Sequence, residues 1–310
     1  MFRKMTFLTL LIALLLAGCA PAAPIATEVP SDVPSGITLI DGLGRRVTLH
    51  GPAQRIVSLA PSNTEILFAI GAGAKVVGRD EFSDYPAEAK AVASVGGSMG
   101  QYSTEAIVAL QPDLVLAAEI NSPELVKSLE DLGLTVYYLS NPKTLEEMYG
   151  NLEIAAKLAG TDPARLVDSL KARVAAIDEK VASAEGKPSV FYEIDATDPG
   201  KPYTYGPGTF GDLLIQRAGG TNIGGTLQDA YPQISLEQVV VSNPDLIILG
   251  DSMWRVTPEA VKARSGWESL DAVKNGRIFA FDDNLVSRPG PRLVDGLEQL
   301  AVLLHPELFK

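Results

Sequence analysis

Short runs of aliphatic residues alternate along this chain with longer stretches in which apolar positions recur every three to four residues. The aliphatic runs are typical of buried strands, and the periodic stretches are typical of amphipathic helices. This alternation predicts an α/β fold, in which mostly parallel sheets are covered by helices on both faces. The predicted strands are Arg55–Ala60, Asp113–Ala117, Thr135–Leu139, Val190–Ile194, Asp245–Leu249 and Arg277–Phe281.

One part of this pattern occurs twice. The segment that begins at Ser103 matches the segment that begins at Ser235 at a constant offset of 132 positions, and serine, glutamate, valine, proline, aspartate and leucine coincide. Each copy predicts a serine-capped helix that ends before a proline and leads into a buried strand. Upstream, Glu65–Gly73 is similar to Asp212–Gly220, and both segments predict helices that end in glycine. The repeats predict two Rossmann-like lobes of one design, residues 37–161 and 187–310, with a ligand cleft between them.

A single long helix is predicted between the two lobes, over residues 162–186. Asp162 and Pro163 suit a helix start, and Gly186 followed by Pro188 suits its end. Apolar residues form one stripe along this segment, and charged residues cover the rest. The members of the stripe are Leu166, Leu170, Val174, Ile177 and Val181. A stiff helix between the lobes would restrain their movement.

The first residues indicate export and a lipid anchor. Arg3 and Lys4 precede a short apolar run, which leads into the sequence Leu-Ala-Gly-Cys at residues 16–19. A basic start, a short apolar run and small residues describe a secretory signal, here residues 1–18. The sequence before Cys19 resembles a bacterial lipobox, which implies lipidation of that cysteine. Residues 19–36 are rich in proline, alanine and serine and predict a flexible tether.

Composition narrows the possible functions of the chain. It has 310 residues, one cysteine, two histidines and a net charge of −12, which becomes −14 when Arg3 and Lys4 leave with the signal. One cysteine and two histidines cannot build a Cys/His zinc site or a disulfide framework. Because no run of lysine or arginine stands out, we expect no nucleic-acid partner.

A resemblance to a known family rests on several of these features together. They are the lipobox, the sequence RIVSLAPSNTE at residues 55–65, the sequence FSDYP at residues 82–86, the linking helix and the second lobe. Together they resemble the helix-linked class of substrate-binding lipoproteins of bacterial ABC importers, from about Ile37 to the C-terminus. This class captures cobalamin, ferric siderophores or haem outside the cytoplasmic membrane.

The resemblance implies a monomeric binding protein, not an enzyme, with no cofactor and no resident metal of its own. It implies delivery of a large metal-bearing ligand to a dimeric permease that works with ATPase subunits. Cobalamin is the leading ligand, and a ferric siderophore or haem is the alternative. The cobalamin binders of the family line their cleft with tryptophans. This chain has Met99 and Ala118 at two such positions, and it has a tyrosine at position 231.

Glu105 and Glu237 are the most specific pair of candidate functional residues in the sequence. They occupy the same position of the repeated helix, one in each lobe. A single first-turn glutamate commonly stabilises its own helix dipole. A matched pair on two related lobes also suits a two-fold symmetric partner with two basic pockets. The resemblance implies that these two glutamates dock on arginines of the permease.

The ligand cleft is expected where loops leave the carboxyl ends of the strands. Aromatic side chains there suit a large flat macrocycle, and an arginine suits an anionic or amide group. The candidates lie in loops that contain glycine, proline or aspartate. They are Phe82, Met99, Tyr203, Tyr231, Trp254 and Arg288. Either Tyr203 or Tyr231 could also supply a tyrosinate to haem iron.

Two motifs suggest other classes of protein. Gly96–Gly100 matches the G-x-S-x-G nucleophile elbow, and Ser98 with His305 would give the chain order of an envelope serine hydrolase. Gly206–Gly211 matches the dinucleotide-binding pattern G-x-G-x-x-G. The first lacks a strand-to-helix turn at Ser98, and the second lacks a strand directly before it. Both are therefore weaker interpretations than a binding protein.

Overall fold

A computed structural model describes residues 36–310. The described part opens with an antiparallel hairpin of strands β1 (Ile37–Ile40) and β2 (Arg46–Leu49), in which Ile37 pairs with Leu49. Asp41 closes the turn, because its carboxylate accepts the backbone N–H groups of Leu43 and Arg45 at 3.0 and 2.9 Å. The hairpin then leads into the first of two parallel sheets.

The N-terminal lobe is built on four parallel strands in the order β4-β3-β5-β6. They are β3 (Ile56–Ser58), β4 (Val76–Arg79), β5 (Leu114–Ala118) and β6 (Val136–Leu139). Buried aliphatic residues dominate β5, and β6 has two buried tyrosines between buried aliphatic residues, as expected for parallel strands covered on both faces. The helices of this lobe are α1 (Pro61–Ala69), α2 (Thr104–Ala109), α3 (Pro123–Asp131) and α4 (Leu145–Ala159).

The C-terminal lobe repeats this arrangement. Its four parallel strands have the order β8-β7-β9-β10, and they are β7 (Ser189–Glu193), β8 (Thr221–Asn222), β9 (Leu246–Leu249) and β10 (Ile278–Ala280). The order is that of the first sheet, strand for strand. Its helices are α6 (Phe210–Arg217), α7 (Leu236–Ser242), α8 (Pro258–Lys262), α9 (Asp271–Lys274), α10 (Asn284–Ser287) and α11 (Leu293–Leu304).

The local details of the repeat agree with the prediction from sequence. Ser103 Oγ accepts the Ala106 N–H at 3.2 Å at the start of α2, and Ser235 Oγ accepts the Gln238 N–H at 3.2 Å at the start of α7. Each helix is followed by a proline and then by a buried strand. The repeated helix–strand unit and the six predicted strands are therefore confirmed.

The linking helix α5 spans Ala164–Val181, between α4 of the first lobe and β7 of the second. It is shorter than the predicted 162–186. The Asp162 carboxylate accepts the Ala164 N–H at 3.0 Å, and the Ser183 hydroxyl donates to the Lys180 carbonyl at 2.7 Å. Helix α5 thus begins just after Pro163. It ends near Ser183, before the chain reaches the glycine and proline that were expected to end it. The buried stripe is Val167, Leu170, Val174 and Ile177, so Leu166 and Val181 lie at its margins.

Ion pairs join α5 to the C-terminal lobe. Arg173 pairs with Glu298 and Asp295 of α11 at 2.6 Å each, and Arg217 of α6 pairs with Asp178 of α5 at 2.7 Å. The contact with the N-terminal lobe includes Lys171, whose ammonium lies 5.4 Å from the centre of the Tyr149 ring. The helix therefore packs on both lobes and is ion-paired to the second.

Candidate functional site

A cavity of about 440 Å³ lies between the two lobes. Both lobes contribute to its wall. The N-terminal lobe contributes Ser62, Asn63, Ala118–Ile120, Leu139–Lys143 and Asn151, and the C-terminal lobe contributes Tyr205, Gly208–Phe210, Ala230, Tyr231, Val286, Ser287 and Pro289. The cavity thus occupies the cleft that the repeat predicted.

The parallel strands explain why these residues meet. Residues 118–120 follow β5, and residues 139–143 follow β6, so two loops leave the carboxyl edge of the first sheet at the cavity. Open parallel sheets bind ligands at this edge. The helices α1 and α6 begin at the cavity from opposite lobes. The wall contains Ser62 and Asn63 from the first turn of α1, and it contains the cap Thr209 and the first residue Phe210 of α6. Two helix N-termini, which attract negative ends of dipoles, therefore face the same space.

Neutral polar side chains share the inner wall with apolar ones. Asn63 and Asn151 are buried, and their amide nitrogens donate to the backbone carbonyls of Leu116 at 3.1 Å and Ser140 at 2.8 Å. Lys143 and Glu119 are the charged residues of the wall, and both are exposed. One cation and one anion leave the wall without a net charge, so it suits a ligand with many neutral hydrogen-bonding groups.

An aromatic cluster forms the wall from the C-terminal lobe. The hydroxyls of Tyr192 and Tyr205 both donate to Asp283 Oδ1, at 3.0 and 2.8 Å, and the ring of Tyr231 lies 6.0 Å from that of Tyr205. Burial raises the pKa of Asp283 above its usual range, while the tyrosine hydrogen bonds oppose that shift. Burial also raises the pKa of Tyr231 and, well above its usual value, that of Tyr205. Both phenols are therefore protonated at neutral pH.

A buried ion-pair cluster crosses from one lobe to the other beside the cavity. Glu65 of α1 accepts hydrogen bonds from Arg292 at 2.6 and 2.8 Å and from Arg288 at 3.0 Å. Arg288 also pairs with Asp84 at 2.7 Å. The Arg292 guanidinium lies over the Tyr85 ring, 4.0 Å from its centre. Glu65 is 2 % exposed, so its charge is compensated inside the protein.

Among the six predicted ligand residues, the structure places Tyr231 in the cavity wall. Arg288 lies next to the wall residues Ser287 and Pro289, and its guanidinium is ion-paired as described. Phe82, Met99, Tyr203 and Trp254 are exposed at 53, 94, 42 and 74 % and are not among the wall residues. The structure does not bring these four to the cavity, and their contact with a ligand stays a prediction.

Sequence reasoning missed most of the polar wall. Asn63, Asn151 and Lys143 were not singled out, although the loop that carries Lys143 directly follows a predicted strand. The position after a predicted strand was the available signal for Lys143 and Glu119. Asn63 and Asn151 lie within helices, where nothing in the sequence distinguishes an amide of the cavity from one of the helix surface.

Glu105 and Glu237 are exposed in the first turns of α2 and α7. Hydrogen bonds from its own backbone N–H and from the Ser235 hydroxyl hold the pKa of Glu237 below its usual range. Both side chains are thus accessible to a partner. The predicted lipid attachment at Cys19, the signal and the tether lie outside the residues that the structure describes, apart from Gly36.

The structure does not assemble the two alternative sites. Ser98 is exposed in a single 3₁₀ turn (Ser98–Gly100) of the N-terminal lobe. His305 is buried at the end of α11 in the other lobe, where its Nε2 lies 3.3 Å from the Gly219 carbonyl. The Gly206–Gly211 loop leads into α6, but β7 ends at Glu193, so the loop is not a strand-to-helix turn. Instead, part of it lines the cavity.

Within residues 36–310, no group of three or more histidine, cysteine, aspartate or glutamate side chains is arranged to hold a metal ion. A search of the same residues finds no helix with the length and apolar character needed to span a bilayer.

Comparisons with known proteins agree with this architecture. Residues 56–285 match the model of a family described as periplasmic binding protein. The uncharacterized ABC transporter substrate-binding lipoprotein YvrC of Bacillus subtilis is 36% identical over 315 residues, which cover 97% of this chain and 96% of the relative. The vitamin B12-binding protein of Vibrio cholerae is 33% identical over 264 residues, which cover 82% of this chain and 90% of the relative.

A solved structure of the periplasmic heme-binding protein RhuT from Roseiflexus sp. RS-1 superposes with a TM-score of 0.72 at 26% identity. The match covers 83% of this chain and 99% of that chain. These relatives are binding proteins and not enzymes, which confirms the prediction of a binding protein over a hydrolase. The two lobes, the cleft between them and the matched family model lead to one conclusion: the chain belongs to the periplasmic binding protein family.

Proposed function

We propose that this chain is the substrate-binding lipoprotein of an ABC importer and that its ligand is cobalamin. The observation that carries the choice of ligand is the chemistry of the cavity wall. Buried amides and hydroxyls line part of a space whose charged residues, Lys143 and Glu119, offset each other. The rim of a corrin ring carries neutral amide groups, which need hydrogen-bonding partners rather than counter-ions.

Haem is the second candidate, and the similarity to a heme-binding relative favours it. Haem carries two propionates, and its iron takes an axial ligand such as tyrosinate. Lys143 is a single cation on the wall, while Arg288 is already paired with Glu65 and Asp84. Tyr205 donates its hydroxyl to Asp283, and burial raises the pKa of Tyr231, which disfavours a phenolate. These contacts support cobalamin over haem.

A ferric siderophore is the remaining ligand of the class. Siderophore complexes are commonly anionic, so they too require cations in the wall. Because the charge of Glu119 offsets that of Lys143, the wall has no excess of positive charge, which supports cobalamin over an anionic siderophore complex. The similarity to the vitamin B12-binding protein of Vibrio cholerae, which covers 82% of this chain, supports the same choice.

Capture of the ligand takes place outside the cytoplasmic membrane in this proposal. The protein is a monomer tied to a membrane through lipid on Cys19, and it passes its ligand to a dimeric permease with ATPase subunits. Glu105 and Glu237 supply the docking contacts. Their exposure at equivalent positions of two equivalent helices supports this role, because a two-fold symmetric partner presents two equivalent basic pockets.

The proposal is tested by titrating the purified protein with cyanocobalamin, haemin and a panel of ferric siderophores in a calorimeter. We expect cyanocobalamin to bind with a Kd below about 10 μM, which corresponds to about −6.8 kcal/mol. Tighter binding of haemin or of a siderophore would contradict the choice of ligand. No binding by any of the three classes would contradict the substrate class itself.

Two variants sharpen the test. Asn63→Ala removes a buried amide from the wall, and we expect it to weaken cyanocobalamin binding about tenfold. Asn275→Ala, an exposed asparagine after α9, is the matched control and should leave the Kd unchanged.

Tyr231→Phe separates the two leading ligands, because it keeps the aromatic ring and removes the only atom of that side chain that could bind iron. Cyanocobalamin affinity should survive Tyr231→Phe.

A further inference from the structure

The Glu65 cluster joins the two lobes beside the cavity, next to the wall residues Ser62 and Asn63 of one lobe and Ser287 and Pro289 of the other, which we call the floor of the cavity. Glu65 is one turn along α1 from the wall residues Ser62 and Asn63. Its partner Arg288 stands between the wall residues Ser287 and Pro289 of the other lobe. The ion pairs therefore connect the N-terminal half of the floor with the C-terminal half.

The burial of the cluster makes its charge balance important. The side chains of Glu65, Arg288 and Arg292 are exposed at 1, 12 and 11 %. Neighbouring buried charges interact more strongly than charges in water, because little solvent screens them. Loss of the Glu65 charge would remove the carboxylate of the N-terminal lobe that both guanidinium groups of the C-terminal lobe share. The attraction between the two halves of the floor would then be weaker, and the two arginines would repel each other within their own lobe.

A second set of contacts depends on the same two arginines. Arg288 donates to the backbone carbonyl of Phe82 at 3.3 Å and to the Asp84 carboxylate at 2.7 Å. Arg292 lies 3.8 Å from Asp282 and stacks on Tyr85. The 82–85 segment of the first lobe is thus held by arginines whose orientation Glu65 fixes through three hydrogen bonds.

We propose that Glu65 is a positioning residue for ligand binding, which holds residues 286–289 of the C-terminal lobe against the start of α1 and so keeps the cavity floor assembled without ligand. The role of Glu65 in ligand affinity rests on the proposed function, and its role in holding the lobes together does not. Pre-organisation of this kind raises affinity, because the ligand does not have to order the floor when it binds.

The chain offers a closely matched control. Glu193 is also fully buried, and Arg264 donates two hydrogen bonds to it at 2.6 and 2.8 Å, the distances found between Arg292 and Glu65. Glu193 and Arg264 belong to the same lobe, however, so their ion pair does not cross the lobe boundary. A comparison of Glu65→Gln with Glu193→Gln therefore separates the loss of a buried ion pair from the loss of a contact between lobes.

The experiment measures the distance between the lobes by double electron–electron resonance. Spin labels are placed on Leu132→Cys of the first lobe and Val302→Cys of the second, both exposed positions, in the full chain with Cys19→Ser. We expect Glu65→Gln to broaden the distance distribution of the free protein and to raise the Kd for cyanocobalamin at least about tenfold. Glu193→Gln should lower the thermal unfolding midpoint and leave both quantities at the parent values.

An unchanged distance distribution and an unchanged Kd in Glu65→Gln would overturn the proposal. Arg292→Lys, a milder change that removes the two-point contact, is the second variant if Glu65→Gln fails to fold. It should shift the distances and the Kd in the same direction by a smaller amount, and unchanged values there would overturn the proposal equally. If the parent chain does not bind cyanocobalamin, the proposed ligand fails, and the distance distributions still decide whether Glu65 holds the lobes together.

Discussion

Asp113 and Asp245 make equivalent contacts in the two lobes. The Asp113 carboxylate accepts the backbone N–H groups of Gln54 and Arg55 at 2.8 and 2.9 Å, just before β3, and the Asp245 carboxylate accepts the Ser189 N–H at 2.7 Å at the start of β7. In each lobe an aspartate after a proline thus fixes the entry to the first strand of the sheet. The two copies of the repeat therefore agree in this hydrogen bond as well as in sequence.

The exposed glutamates of the repeat give the first prediction. Glu105→Ala combined with Glu237→Ala should reduce ligand uptake by cells at least about tenfold, because each change removes one charged contact with the permease. Ligand affinity of the purified protein should not change, since neither residue lines the cavity. Uptake of radiolabelled ligand and calorimetry measure the two effects.

Glu124→Ala is the control for this pair. Glu124 is also an exposed first-turn glutamate behind a serine cap, on α3, and its counterpart Glu259 on α8 is left in place, so the control changes a first-turn charge outside the proposed docking pair. Its replacement should leave uptake at the parent level. A loss of ligand affinity in the double variant would rule out a role confined to docking.

The serine caps of the repeated helices give a second prediction. Ser103→Ala and Ser235→Ala should each lower the free energy of unfolding by about 0.5–2 kcal/mol, since each hydroxyl satisfies a first-turn N–H group. The Ser235 N–H also donates to the Gln238 side chain at 3.1 Å, which completes a capping box, and this second bond survives Ser235→Ala because the backbone N–H remains. Urea denaturation measures both values. Ser169→Ala on the exposed face of α5 serves as the control, and an equal loss there would argue against capping.

Asp251 gives a prediction of pH dependence. It is buried beside Glu193, and its carboxylate oxygens have no hydrogen-bond partner. Burial, followed by the charge of Glu193, raises the pKa of Asp251 from 3.8 to about 7. The folded protein therefore retains a proton that the unfolded chain loses between about pH 4 and pH 7. The free energy of unfolding should fall as the pH rises through this window.

Asp251→Asn removes this charge and keeps a group that can donate to Glu193. The variant should be more stable than the parent by roughly 1–3 kcal/mol at pH 8, with the difference shrinking towards pH 4. Thermal or urea unfolding at several pH values measures the difference. Asp168→Asn, at an exposed position of α5, should show no such dependence. A constant difference between Asp251→Asn and the parent at all pH values would contradict the assigned titration.

The linking helix gives the last prediction. Leu170 is buried at 3 % exposure in a core cluster with residues of both lobes. Leu170→Ala should lower the free energy of unfolding by about 2–5 kcal/mol, the usual cost of a large-to-small change in a core. Arg165→Ala, on the exposed face of the same helix, should change it by less than about 0.5 kcal/mol. Chemical denaturation followed by circular dichroism gives both values.

Local patterns predicted most of the fold. Six strands, the repeated serine-capped helices and the linking helix follow from hydrophobic periodicity and from the residues that begin and end helices. The end of α5 differs because Ser183 bonds the Lys180 carbonyl before the chain reaches Gly186. The β1–β2 hairpin was not predicted, although its strands alternate in exposure, since each strand is only four residues long.

The sequence predicted where the ligand cavity lies, but it did not predict most of the residues that line it. The position follows from the rule for the carboxyl ends of parallel strands. The contact of Glu65 with Arg288 and Arg292 joins residues 223 and 227 positions apart, and no local pattern reports such a pair. Phe82 and Trp254 are candidates because they are aromatic residues in predicted loops, and a position in a loop does not show whether a side chain faces the cleft.

The two helices that begin at the cavity differ in one informative way. Under the alignment that matches Glu65 with Asp212, Ser62 corresponds to Thr209, and Asn63 corresponds to Phe210. One hydroxyl of each helix reaches the wall, but an amide on one side stands opposite a phenyl ring on the other. Two copies of one design therefore enclose an interior without two-fold symmetry. The two lobes present different chemical groups to a molecule held between them, although the outer surface of the repeat offers the same carboxylate twice.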